Sequence, residues 1–274
     1  MSSPSSRDAE SPVVTTVMAE LLVWPALLAY GEAAVAYAGV LRAPVVSGRL
    51  AIWGVRVGWV TQTALLLVQA LRANGFPWGT WAGALDLFVW LVVTAFLLWG
   101  CNARYRLVGL LVMPVAAVLL VASWAGGGTE SGEGVHSGVL LGLHVGLMLA
   151  ALAGLTVAGG MAALYLWEER RLKQRDSRLF RLRVPPLETL DRLAARVATA
   201  SLVLLTAGIV FGLARLQRGR FDAAMAITLA LWVALAALLA LRHESRLQGR
   251  RAAALQVGVA LLVAVVLPIT HFAS

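Results

Sequence analysis

SGVLLGLHVGLMLAALAGLTVAGGMAALYLWEERRLKQRDSRLFRLR, residues 137–183, holds the two signals that decide the fold. From 137 to 166 the stretch contains no Asp, Glu, Lys or Arg. A run of that length exceeds the roughly 20 apolar residues needed to cross a hydrocarbon core about 30 Å thick, so it spans with tilt or extends past the bilayer. Directly after it comes EERRLKQRDSRLFRLR, 168–183, the most basic segment of the chain. Short basic connections stay on the cytoplasmic side of a membrane. One stretch therefore supplies both a span and its orientation.

Similar apolar blocks cover approximately 15–40, 50–72, 82–101, 106–125, 193–216, 222–241 and 252–272. None alternates with period two, and in lipid only helices or closed barrels satisfy every backbone group, so the blocks read as helices. The fold class is all-α: a polytopic membrane bundle of about eight transmembrane helices. A short disordered tail, 1–14, precedes a single transmembrane bundle over 15–272. Basic residues also mark the connection near Arg42 and Arg49, the turn with Arg104 and Arg106, and 242–251. With eight spans these connections share the cytoplasmic side with 168–183, which places both termini outside. The loops 75–83, 126–138 and 214–222 fall on the outer side, the last being basic through Arg215, Arg218 and Arg220.

Composition agrees. Of 274 residues 60% are hydrophobic and only 14% charged, against roughly a quarter charged in soluble domains. The net charge of +9 resides mainly in interhelical connections, where it sets topology, and this argues against a nucleic-acid partner. The lipid bilayer is the partner it implies. Cys101 is the one cysteine, which excludes an intrachain disulfide and a CxxC pair. No phosphate loop, dinucleotide fingerprint, HExxH or nucleophile elbow is present. Gly159 with Gly160, and Gly208 with Gly212, suit close helix packing.

Several polar residues stand out within the apolar blocks. Asp86 lies about one turn into a span, an expensive place for a carboxylate, with Arg72 as a candidate partner. Glu20 and Glu32 are too far apart along one helix, about 18 Å, to act as a dyad; each could meet Arg56 or line a cavity. Thr61, Gln62, Thr63 and Gln69 make the second span polar on its inner side, which suggests helix contacts. Trp78, Trp81 and Trp124 sit beside outer loops, where indoles anchor helices at an interface or form a flat wall for a ligand.

Residues 58–120 run GWVTQTALLLVQALRANGFPWGTWAGALDLFVWLVVTAFLLWGCNARYRLVGLLVMPVAAVLL. Further on stand LHVGLMLAALAGLTVAGGMAALYLWEERRLK (143–173), PPLETLDRLAARVATASLVLLTAGIVFGLARL (185–216) and FDAAMAITLALW (221–232). This order of motifs resembles the cytochrome c assembly family, which includes CcsA, CcmC and HemX-like proteins. The likeness runs over about 50–272 and rests on Gly75, Pro77, Leu85, Phe88, Trp90, Arg104 and Arg106, on ERRLK followed by LDRL, and on Asp222 with Trp232. Where a full tryptophan-rich haem-handling loop would stand, this chain has LARLQRGRFD, 213–222, which directs the resemblance to the HemX-like or divergent branch.

The resemblance implies a membrane factor in cytochrome c maturation or haem handling, a multi-pass protein of a bacterial inner or plasma membrane. His144 matches the family's proposed haem ligand at the outer start of the fifth helix, and His271 corresponds to a histidine near the end of HemX-like relatives. Both are candidate cofactor and metal ligands for haem iron, which takes axial imidazoles. Trp78 and Trp81 are candidate walls, Asp222 belongs to the matched element, and Arg218 and Arg220 are candidate propionate partners. His136 is a solvated loop residue or a substitute for His144, and His243 is cytoplasmic.

With no nucleophile–base pair or thiol donor, the chain reads as an assembly factor more readily than an enzyme. A second assembly subunit and an apocytochrome are the partners the resemblance implies, with 168–183 either a lipid-facing anchor or a dock for a cytoplasmic partner. Two other classes stay open: a HemX-like regulatory scaffold of tetrapyrrole synthesis without haem, and a transporter using Glu20, Glu32 and Asp86.

Overall fold

The structure is a computed structural model that describes residues 6–39, 46–72, 80–99, 106–129, 139–174, 186–213, 223–244 and 247–272. Side chains are described within 19–39, 48–71, 80–98, 108–129, 139–174, 186–213, 225–244 and 247–263. Eight helices account for nearly all of the described residues: α1 Ser6–Gly39, α2 Val46–Arg72, α3 Trp81–Trp99, α4 Arg106–Ala125, α5 Val139–Lys173, α6 Leu187–Leu213, α7 Ala223–His243 and α8 Gly249–Phe272. Seven of them, α1 to α7, carry described segments long and apolar enough to cross a membrane. The protein is an all-helical, multi-pass membrane protein, as the apolar blocks require.

α1 starts earlier than the apolar pattern alone predicts. Its backbone is helical from Ser6, inside the stretch read as a tail. Polar residues propagate an existing helix at little cost.

Contacts divide the chain into two compact units, one formed by 1–94 with 113–138 and the other by 95–112 with 139–274. Within the first unit α1 and α2 run antiparallel, held close by glycines. Gly54 faces the Ala29 carbonyl and Ala33, and a side chain at Gly58 would collide with the Tyr30 ring. α2 and α3 are clasped by two reciprocal indole bonds: Trp59 Nε1 donates to Thr94 Oγ1 and Trp90 Nε1 to Thr63 Oγ1, each at 2.8 Å. The two rings stack with centroids 5.8 Å apart. Trp90, the phased tryptophan of the third span, is thus a helix clasp.

α4 ends in a glycine-rich turn. Gly127 takes a positive φ of 79°, the Gly127 amide bonds Trp124 O, and the Gly128 amide bonds Ser123 O at 2.9 Å. This double closure satisfies carbonyls that the end of a helix leaves open. Ser123 Oγ in turn donates to Ala82 O at 2.7 Å, fixing α3 against α4.

In the second unit α5 is the central element, packed on both α6 and α8. Gly154 faces Ser201 of α6, Gly159 faces Ala260 of α8, and Gly160 lies against Leu111 of α4. The close-packing role expected for Gly159 and Gly160 is the one they perform. α7 is tied to α6 by Trp232 Nε1, which donates to Thr206 Oγ1 at 2.8 Å.

Without a hydrophobic drive between helices in lipid, such close approaches carry much of the association. Gly159→Leu is expected to lower the stability of the detergent-solubilised protein by about 1–3 kcal/mol, the usual cost of overpacking. Gly146→Ala, at a position with open space around it, should leave the melting temperature within a degree or two of wild type. Thermal unfolding followed by light scattering checks both.

Candidate functional site

His144 lies in the first two turns of α5 and is half-buried. Its Nδ1 is 2.7 Å from Gly208 O of α6. A carbonyl only accepts, so Nδ1 carries the proton and donates. That bond leaves Nε2 as the nitrogen with a free lone pair, and among the described residues Nε2 has no hydrogen-bond partner. The ring occupies space that Gly212 leaves empty: a Cβ there would come within 2.7 Å of His144 Cε1. One turn along α5, Met148 fills the corresponding space at Gly208, whose Cβ would meet the sulfur at 3.0 Å. The paired glycines of α6 are therefore a seat for His144 and Met148 as well as a helix contact.

The other candidate ligand, His271, is in the last turn of α8, and its side chain falls outside the described residues. The backbone register can still be followed. α5 and α8 are antiparallel, because Tyr165 meets Gly249 while Gly159 meets Ala260. From that crossing, His144 lies about 22 Å along α5 and His271 about 17 Å along α8, at 1.5 Å per residue. Both backbones rise toward the same end of the unit.

Trp81 belongs to the first unit, where its half-exposed indole sits on Gly126 in the turn that ends α4. Trp124, likewise at the surface, meets Trp24 of α1 edge-on at 5.2 Å. Trp78, Asp222, Arg215, Arg218, Arg220, His136 and Cys101 lie outside the described residues, as does the Arg72 side chain. His243 is exposed at the end of α7. Glu20 and Glu32 are exposed on α1, and neither forms an ion pair among the described residues; Arg56 instead lies over the Trp53 ring at 5.7 Å.

The expected pairing of Asp86 with Arg72 lies outside the described residues, but the rest of the surroundings of Asp86 are described. Asp86 is 1% exposed, and among the described residues its partners are amides of α2: Gln62 Nε2 at 2.6 Å from Oδ1 and Gln69 Nε2 at 3.4 Å from Oδ2. Gln62 is itself oriented by the Tyr30 hydroxyl, which donates to its Oε1 at 2.7 Å. The polar side of the second span, read as helix contacts, is a buried network around this carboxyl.

At the opposite end of the second unit the ERRLK and LDRL motifs show their physical roles. Arg242 Nη2 of α7 meets Asp191 Oδ1 of α6 at 2.8 Å, and Leu190 beside it is fully buried. Lys173 pairs with Glu169 at 2.6 Å, and Arg192 with Glu188. Arg170, Arg171, Leu172 and Lys173 face outward, with Arg171 over Trp167 at 5.5 Å. Among the described residues no group of three His, Cys, Asp or Glu converges to hold a metal ion. Any metal chemistry here would rest on fewer protein ligands, as a haem iron does.

The family model described as cytochrome C assembly protein matches residues 78–274, well over half of the chain. The chain belongs to the cytochrome c assembly protein family. The match begins just before α3, so α1 and α2 lie outside it, and the resemblance read from about residue 50 onward is established from residue 78. No curated protein matches the chain. Membership supports a role in cytochrome c maturation for a multi-pass membrane protein, and α5 with His144 falls inside the matched region.

The Asp191–Arg242 pair should be the strongest polar contribution at its end of the unit. Arg242 keeps only 9% side-chain exposure, so Asp191→Ala leaves a mostly buried guanidinium without its carboxylate. The expected loss is about 1–3 kcal/mol. Arg192→Ala, whose partner is fully solvated, should cost under about 1 kcal/mol. Paired thermal melts of the two variants test the difference.

Proposed function

We propose that this family member binds haem at the non-cytoplasmic end of its second unit, with His144 Nε2 as an axial ligand, and presents it during cytochrome c maturation. The supporting observation is the 2.7 Å bond from Nδ1 to Gly208 O. Metal-ligating histidines characteristically anchor one ring nitrogen on a carbonyl or carboxylate, which fixes the tautomer and points the other nitrogen at the metal. An imidazole serving only as an interfacial polar group has no need of such a seat. The residues present therefore fit the group the family implies.

In this reading His271 is the second imidazole, carried toward the same end by α8. Arg218 and Arg220 would be the partners of the propionates, since guanidinium forks match carboxylates. Bound haem supplies an iron with axial positions for nitrogen and a flat macrocycle to deliver. The protein's contribution is to hold and orient it, and a second assembly subunit and an apocytochrome would receive it. The setting is a bacterial inner membrane.

The test is optical. Protein purified from haem-replete cells, or titrated with haemin in detergent, should show a Soret band and low-spin visible bands. His144→Ala should abolish the low-spin spectrum. Gly212→Leu, which displaces the ring without removing it, should weaken haem affinity by about 10–100-fold, the scale seen when the support of a metal ligand is lost. His243→Ala should be indistinguishable from wild type. A colourless wild type that does not bind added haemin sinks the reading in favour of a haem-free regulatory scaffold.

A further inference from the structure

The buried network of the first unit centres on a carboxyl that meets no cationic side chain among the described residues. Asp86 is 1% exposed and Gln69 5% exposed. Gln62 cannot serve Asp86 Oδ2, because its amide is committed to Oδ1 at 2.6 Å and to the Asp86 carbonyl at 3.0 Å. Oδ2 receives only the long contact from Gln69 Nε2, whose short bond, 2.8 Å, goes to Gly128 O. Meanwhile Gln69 Oε1 is fully buried and has no hydrogen-bond partner among the described residues. No Lys, Arg or His pairs with Asp86 among the described residues. The titratable neighbour is Tyr30 of α1, a hydroxyl already donating to Gln62. The described side chains of α2 and α4 add none there, since Arg49 and Arg56 are exposed; the Arg72 side chain at the end of α2 lies outside the described residues.

Three further features share one sign. Gly128 O belongs to the turn that closes the C-terminus of α4, the negative end of that helix dipole. Asp86 adds a carboxylate and Gln69 an unsatisfied amide oxygen. A buried carboxylate is costly without a positive partner, and no described Lys, Arg or His side chain supplies one. Rotating the Gln69 amide by half a turn brings Oε1 to face Asp86 Oδ2 and Gly128 O. That arrangement is repulsive when empty and becomes favourable once a positive charge sits among the oxygens. In the unrotated form Nε2 bridges the same two oxygens and keeps the network closed. Membrane proteins use helix C-termini and irregular backbone carbonyls in this way to hold Na⁺ or H⁺.

We propose that Asp86, Gln69 and Gly128 O form a monovalent-cation site inside the first unit, which takes up one alkali-metal ion or one proton as the Gln69 amide turns. A single carboxylate with neutral oxygens matches a charge of one; a divalent ion would call for more carboxylates. The site rests on the first unit alone and does not depend on haem binding.

The experiment uses the full chain in detergent and reads the melting temperature, because a ligand that binds only the folded state raises it. Sodium or potassium chloride is titrated against N-methylglucamine chloride at constant ionic strength, and separately the pH is varied without alkali ions. Saturable stabilisation by Na⁺ or K⁺ at fixed pH identifies an alkali ion. A response to pH alone identifies the proton. Asp86→Asn, which keeps an acceptor for Gln62 but removes the charge, should fold and lose the response. Gln69→Leu should shift the half-saturation point by about tenfold or more, and it serves alone if Asp86→Asn fails to fold. Glu32→Gln, on the exposed face of α1, should behave as wild type. A wild type that responds to neither cation, or an Asp86→Asn or Gln69→Leu variant with the wild-type response, overturns the proposal.

Discussion

In lipid every backbone amide and carbonyl must find its partner inside the protein, and helices meet that demand segment by segment. Hydrogen bonding is then spent within each helix, and lipid tails give apolar side chains no reason to prefer one another. What remains to join helices is close approach and a few polar side chains. The described contacts follow from this constraint. Glycine stands at the α1–α2, α5–α6 and α5–α8 crossings, and side-chain donors such as Trp59, Trp90, Ser123 and Trp232 reach across between neighbours.

The two units apply the rule differently. The first gathers its polar groups into one buried chain running from Tyr30 through Gln62 to Asp86 and from Gln69 to Gly128. The second has the His144 seat at one end and the Asp191–Arg242 pair at the other, with Ser201 of α6 and Gln256 of α8 buried along its length. Between them α5 is lined with alanine and glycine, small enough for α6 and α8 to approach.

The family motifs acquire different meanings in this light. Asp191 of LDRL ties α6 to Arg242 of α7, whereas ERRLK pairs Glu169 with Lys173 inside α5 and leaves Arg170 and Arg171 exposed. Trp90 and Trp232 are clasps between neighbouring helices. His144 is the motif residue whose structural bond leaves a ring nitrogen without a partner among the described residues, and the proposed haem ligation rests on that nitrogen.

The sequence by itself determined the class of structure. Apolar run length and the spacing of Arg and Lys identify helices and spans, because both signals are local and set by bilayer thickness. It also singled out His144, Asp86 and the Gly208–Gly212 pair, each unusual in its own segment. What it left open was who meets whom. Helix contacts were legible in the polar residues of the second span, but not that two of its amides, Gln62 and Gln69, converge on Asp86. The glycines of α6 gave no hint that an imidazole fills their groove. Such pairings depend on helix rotation and register, which side chains far apart in the chain decide together, and only the tertiary structure records them.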